Sequence, residues 1–156
     1  MARLVLAFLF CLSILHCNKL EITADVFHGD ENKLVNVLSG NVIVKKQRDT
    51  LRANTLTIFT DKNKNAIKYI ASGNVSFEIF LKDKFYKGRA AEFIYDVKSD
   101  TYELNKRAYI QENNTERRLY GDKIMVNNKA QTYTVFGESK ENKPARFIFK
   151  LDNDFK

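Results

Sequence analysis

Beyond the first twenty residues, apolar and polar positions alternate in short runs. Asn41-Val42-Ile43-Val44-Lys45, Thr55-Leu56-Thr57-Ile58-Phe59-Thr60 and Val75-Ser76-Phe77-Glu78-Ile79 set the pattern. Glu92-Phe93-Ile94-Tyr95, Thr101-Tyr102-Glu103-Leu104, Lys123-Ile124-Met125-Val126 and Arg146-Phe147-Ile148-Phe149 continue it. A period of two, rich in Val, Ile, Thr, Tyr and Phe, predicts half-buried strands. The breaks carry turn chemistry: Asp61 to Asn65, Lys98-Ser99-Asp100, Asn113-Asn114 and Asn127-Asn128-Lys129. No convincing amphipathic helix follows residue 20; Glu31 to Leu38 fits one or two helical turns or extended chain equally well.

A repeat underlies the strands. Ser39-Gly40-Asn41-Val42 returns 33 residues later as Ser72-Gly73-Asn74-Val75. A weaker copy places Asn105 of Leu104-Asn105-Lys106-Arg107-Ala108 in the glycine position, and Gly137 opens a fourth. A second motif interleaves: Leu51-Arg52-Ala53-Asn54-x-Leu56-x-Ile58, then Tyr86-Lys87-Gly88-Arg89-Ala90-Ala91-x-Phe93-x-Tyr95, then Leu119-Tyr120-Gly121-Asp122-x-Ile124-x-Val126. Gly88 and Gly121 share its frame, so of six glycines only Gly29 stands outside the repeats. Glycine at a fixed point of a strand repeat marks a bend, a bulge or a close backbone approach.

A unit of that length cannot bury its apolar face alone, so units must stack on one another. The expected fold is all-β: a twisted jelly roll or solenoid-like stack of short antiparallel strands around an apolar interior groove. The expected inward residues are Val42, Val44, Leu56, Ile58, Val75, Phe77, Ile79, Phe93, Tyr95, Leu104, Ile110, Ile124, Val126 and Val135. Each is also an ordinary core residue. The first and last rungs present strand edges, which act as joints or must be protected.

The N-terminus has a different character. Arg3 precedes an uncharged apolar run, Leu4 to Leu15, and polar sequence follows from Asn18. This is the layout of a secretory signal peptide, expected over residues 1–17. The run is short of the ~20 residues a spanning helix needs. Retention as an anchor and lipidation at Cys17 are the alternatives, though His16 is not the small residue that lipoprotein leaders carry there. A single domain, residues 18–156, would remain, with its rungs over about 22–137 and a divergent C-terminal strand over 138–156. Both cysteines, Cys11 and Cys17, fall in the leader. The exported chain would therefore hold together without disulfides and without thiolate chemistry. Removing Arg3 leaves 25 Lys+Arg against 19 Asp+Glu, a net charge of +6. The lysines are interspersed with acids, as at Lys82-Asp83-Lys84, which fits a solvated surface.

Together, the leader, the paired S-G-N-V runs and the interleaved second motif resemble the LptA/OstA periplasmic family over residues 22–137. Ile22-Thr23-Ala24-Asp25 is similar to that family's opening strand. The resemblance implies a periplasmic protein that carries lipopolysaccharide from the inner to the outer membrane, acyl chains inside the roll. It implies end-to-end self-association, an inner-membrane LptC-like partner and an outer-membrane LptD-like assembly partner. The family often places Asp after the small residue of the second motif; here Asn54, Glu92 and Asp122 stand there, and Asn105 replaces the third glycine.

Enzyme chemistry finds little support. His28 is the one histidine outside the leader and sits in Phe27-His28-Gly29-Asp30, a poor setting for a triad base. There is no H-E-x-x-H, no cysteine pair and no glycine-rich phosphate loop. Glu78, Glu92, Asp96, Glu103 and Asp122 fit the outward face of strands better than a hydrolytic pair. No cofactor and no nucleic acid is expected. Two other functions compete with the bridge: a membrane-anchored LptC-like partner that keeps its N-terminal segment, and a structural envelope β-repeat protein with a filled interior.

Overall fold

The computed structural model describes residues 19–81 and 83–150. The expected leader, its cysteines and its cleavage point lie outside the described residues. Among the described residues ten strands follow one another: β1 (Leu20–Thr23), β2 (Val26–Asp30), β3 (Val35–Lys46), β4 (Asp49–Thr60), β5 (Ala66–Leu81), β6 (Lys84–Asp96), β7 (Thr101–Glu112), β8 (Arg118–Asn127), β9 (Thr132–Phe136) and β10 (Arg146–Ile148). All pairings are antiparallel, and the long strands β3 to β8 lie in chain order. At one edge β1 and β2 are two halves of a broken strand, both paired to β3. At the other, β9 and β10 are two halves on β8, separated by the loop 137–145. Among the described residues the sheet does not close.

The alternating runs read from sequence are half-strands. β3 to β8 are 10 to 16 residues long because each passes straight through the glycine motif. The register shifts there in every pair of long strands. Gly40-Asn41, Gly73-Asn74 and Lys106-Arg107 all adopt positive φ, at 78° and 48°, 78° and 49°, and 63° and 52°. Two left-handed residues in succession bend the strand and swing its second half to a new direction. Opposite them the neighbouring strands pass through single residues: Asn54 in β4, Ala91 in β6 and Asp122 in β8. One corner thus crosses the whole sheet and divides it into two arms.

The corner corrects the sequence register. The residue equivalent to Gly40 and Gly73 is Lys106, not Asn105, so the interval is 33 at both steps. In the second motif Ala91, not Glu92, occupies the position of Asn54 and Asp122. Gly88 is not a corner residue: it pairs with Phe77, and a Cβ there would come within 2.3 Å of that ring. Gly137 lies in the loop after β9 and makes no fourth rung. Residues 31–34 form a turn, and Val35 begins β3, so the ambiguous segment before Leu38 is not helical.

Glycine is required at Gly40 and Gly73 by conformation and by space. A Cβ on Gly40 would meet Asp25 Oδ2 at 2.3 Å, and one on Gly73 would meet Asn54 Nδ2 at 2.6 Å. The amide of Asp25 donates to Gly40 O (2.9 Å), and Asn41 Nδ2 donates to Asp25 Oδ2 (2.8 Å). Turn aspartates cap one end of the sheet, at the β4–β5 and β6–β7 turns: Asp61 Oδ1 accepts from the amides of Asn63 and Asn65, and Asp96 Oδ1 from Ser99. These bonds hold both carboxyls below the usual carboxylate range.

Candidate functional site: an apolar seam open at both ends

The arms face each other across the corner. In antiparallel pairs, directly opposed residues share a face. The first arm therefore presents one continuous inward row: Phe27, Leu38, Leu56, Ala71, Phe93, Leu104, Ile124 and Val135. The second arm presents Ile22, Val44, Leu51, Phe77, Gly88, Ile110, Leu119 and Phe147. Phe77 and Phe93, on opposite sides of the corner, bring their rings to 5.7 Å, so the rows meet in the middle of the molecule.

Small residues shape the apex. Ala53 pairs with Val42, Ala90 with Val75, and Gly121 with Ala108. Val42, Val75 and Ala108 are buried, so the inside of the bend is dry. This explains the small residue in each copy of the second motif: it lies where the two arms converge and a larger side chain has no room.

The seam is buried in the middle and open at its ends. Ile124 is 0% exposed and Leu56 3%, whereas Phe27 is 66% and Phe147 51% exposed. Phe27 and Phe147 belong to the same inward rows as the core, yet nothing covers them among the described residues. Each inward row therefore runs out through the edge strands without a polar cap.

A third row lines the rim of the first arm: Asn36, Ile58, Tyr69, Tyr95, Tyr102, Val126 and Tyr133. Tyr95 stacks on Tyr102 at 4.4 Å and lies 6.1 Å from Tyr69. The Tyr95 hydroxyl donates to Asp100 Oδ1 at 3.1 Å. Burial raises the pKa of all three tyrosines above their ordinary value; neighbouring Tyr95 and Asp100 add to the effect at Tyr102, as does Asp49 of the facing arm. Their rings are apolar and their tips polar, as suits a boundary between an apolar interior and water.

The structure brings the sequence-predicted residues together. Val42, Leu56, Val75, Phe77, Leu104 and Ile124 are buried. Val44, Ile58, Ile79, Phe93, Ile110, Val126 and Val135 pack half-buried against them, and Tyr95 stands in the rim stack. Leu38, Ala53, Ala71, Ala90 and Ala108 also belong to the core and escaped the sequence reading. The five carboxylates considered for hydrolysis do not converge: Glu92 accepts from Asn105, Glu103 pairs with Lys123 at 3.0 Å, and Asp122 stands at the corner. Among the described residues no group of three or more His, Cys, Asp or Glu could hold a metal ion. No helix among them is long and apolar enough to cross a membrane.

Comparisons with known proteins agree with this geometry. Among curated proteins, none matches the chain. The fold matches the crystal structure of LptH, the LptA-homologous periplasmic component of the lipopolysaccharide transport device of Pseudomonas aeruginosa. That match has a TM-score of 0.72 at 18% identity and covers 86% of this chain and 96% of the other. The family model for the LptA/(LptD N-terminal domain) LPS transport protein matches residues 21–132. The chain belongs to this LptA/LptD N-terminal-domain family, a family of lipopolysaccharide transport proteins and not of enzymes.

Proposed function

We propose that this chain is a periplasmic bridge segment that carries lipopolysaccharide from the inner to the outer membrane. The observation that carries the reading is the apolar seam that leaves the molecule at both edges, through Phe27 and Phe147. Acyl chains cannot cross water unshielded, because each CH₂ kept dry is worth about 0.8 kcal/mol. A seam of Val, Leu, Ile and Phe with no charged groups offers many weak, interchangeable contacts, so a lipid can slide along it. Family membership supports the cargo, and LptH supports the compartment.

The uncapped edges support end-to-end joining. A second copy, an inner-membrane LptC-like protein or an outer-membrane LptD-like protein could add its strand to β1/β2 or to β9/β10 and prolong the seam. On this reading residues 1–17 are an export leader and are removed. Their retention would assign the chain to the anchored role in the same pathway, which N-terminal sequencing of the cellular protein decides.

The test is a photo-crosslinking residue at Phe77, in the seam, and at Lys84, which starts β6 and pairs with Glu112. With lipopolysaccharide present, an ultraviolet-dependent adduct is expected at Phe77 and not at Lys84. No adduct at Phe77, Phe93 or Leu56, in protein with an intact β spectrum, would mean a closed core and a structural envelope role.

A further inference from the structure

The outward face of the second arm carries a row of side chains that the seam does not use. Register aligns Arg52, Ser76, Arg89, Tyr109, Tyr120 and Arg146 on neighbouring strands. They alternate with the inward row, so they face away from the core. The rings of Tyr109 and Tyr120 lie 4.9 Å apart. Arg89 Cζ sits 5.4 Å from the Tyr109 ring centre, and Arg146 Cζ sits 4.4 Å from that of Tyr120. Arg89 comes from β6 and Arg146 from β10, so one guanidinium flanks each side of the tyrosine pair. The Tyr109 hydroxyl donates to Gln111 Oε1 (2.7 Å), which holds that ring in place.

Both arginines line a cleft of about 1180 Å³ over the outside of the corner. Arg107, from the left-handed corner of β7, enters the same cleft. The loop after β9 walls it, closed by the mutual backbone bonds of Glu138 and Lys143 (2.7 and 3.1 Å). A smaller hollow of about 300 Å³ adjoins it, shares Arg89 and Ser76, and adds Arg52 and Lys87.

The charges are unbalanced. Asp122 and Glu138 line the large cleft and Glu78 the small one. Lys143 is engaged by Glu141. Yet none of Arg52, Arg89, Arg107 and Arg146 forms an ion pair among the described residues. Stacking on tyrosine pins the plane of a guanidinium and leaves its N–H edge free. That edge matches the oxygens of phosphate in a two-point fork. Cations that line one cleft repel one another unless an anion joins them.

We propose that this outer cleft is a phosphate-binding site, distinct from the apolar seam. It takes a phosphate-bearing group, either free in solution or carried on a lipid's sugar headgroup. Arg89 and Arg146 each offer a fork from opposite sides of the tyrosine pair, Arg107 supplies a third charge, and Arg52 extends the site along the row. The site does not depend on the seam holding acyl chains, because its residues face the opposite way.

The experiment titrates the purified protein with inorganic pyrophosphate by calorimetry. The Arg89→Gln/Arg146→Gln double variant is compared with the charge-matched control Lys62→Gln/Lys129→Gln, which changes two exposed turns of the first arm. The arginine variant should bind about tenfold more weakly or worse, while the control keeps wild-type affinity. Arg89→Lys/Arg146→Lys should recover only part of the loss, since charge without the fork is insufficient. Equal binding by wild type and the arginine variant, or an equal loss in the control, would overturn the site. Should the double variant fold poorly, Arg107→Gln alone tests the same cleft, with a severalfold loss expected and no loss overturning it. A second arm compares lipopolysaccharide with its dephosphorylated form. An affinity gap that closes in the double variant assigns the phosphate to the lipid. A pyrophosphate effect without such a gap supports the site with a free phosphate as its ligand. The Phe77 crosslink reads the seam independently of both arms.

Discussion

At the scale of single residues, the corner shows one backbone geometry met by two chemistries. Gly73 and Lys106 occupy the same point of successive odd-numbered strands, at φ 78° and 63°. Gly73 has no room for a Cβ because Asn54 presses against it, whereas Lys106 is exposed. An L-residue in this region costs roughly 1–2 kcal/mol that glycine does not incur, partly offset by glycine's greater unfolded freedom. Lys106→Gly should therefore be neutral to stabilising, by up to about 1 kcal/mol. Gly73→Ala should destabilise by about 2 kcal/mol or more, since strain and a clash combine. Urea midpoints of the two variants check the contrast; equal and opposite signs to these would mean that the corner is not what these residues serve. The same positions show what the sequence revealed and what it hid. Gly40-Asn41 and Gly73-Asn74 were legible because glycine and asparagine advertise a left-handed backbone. Lys106-Arg107 advertises nothing of the kind, so the third copy slipped by one residue onto Asn105. Most of the large core residues were legible by alternation, though Leu38 was not, and neither were Ala53, Ala71 and Ala90. Alanine carries little hydrophobic signal, and only the convergence of two arms makes it a core residue.

At the scale of elements, local patterning revealed strands but not their continuity. The glycine repeat marks a bend or bulge, as its fixed place among the strands implies, but the alternating runs on either side do not announce that they are one strand: the neighbouring strand bends at the same level and the ladder resumes beyond it. The rim tyrosines illustrate a property that belongs to adjacent strands together. Tyr69, Tyr95 and Tyr102 come from β5, β6 and β7, and each is raised above 10.0 first by burial. In the unfolded chain tyrosines release their protons near pH 10. In the folded ladder these three hold theirs to higher pH. The stability linked to them is thus complete below about pH 10 and falls as pH rises beyond it. Denaturant midpoints followed upward from pH 9 should decline, and the decline should be shallower in Tyr102→Phe, which keeps the ring and removes the proton. An identical decline in both proteins would place the sensitivity elsewhere. The spacing of single strands could not predict this stack, because it depends on registers set across two hairpins.

At the scale of the whole molecule, the two open edges differ, and this decides how copies can assemble. One edge is β1/β2 with Phe27 exposed, and the other is β9/β10 with Tyr133 and Phe147 exposed. Joining unlike edges is a heterologous contact, which leaves a free edge at each end and builds a filament, not a closed pair. Eight strand positions at roughly 4.8 Å spacing make each protomer about 35 Å long across the strands. Each added copy also adds the joint spacing, so small-angle scattering at increasing concentration should show a maximum dimension that grows in steps of about 38 Å, with an unchanged cross-section. Placing a charge at an edge should stop the growth, because an edge lysine is a recognised block to strand addition. Phe27→Lys or Phe147→Lys alone is expected to give a dispersed monomer of unchanged thermal midpoint, since both side chains are largely exposed. An equimolar mixture of the two single variants separates the geometries. Head-to-tail joining leaves each variant one working edge of opposite kind, so the mixture should form dimers and stop there. Side-by-side association would widen the cross-section and ignore both substitutions. A dimer from the mixture, but from neither variant alone, is the outcome that requires the two exposed ends of the seam to meet.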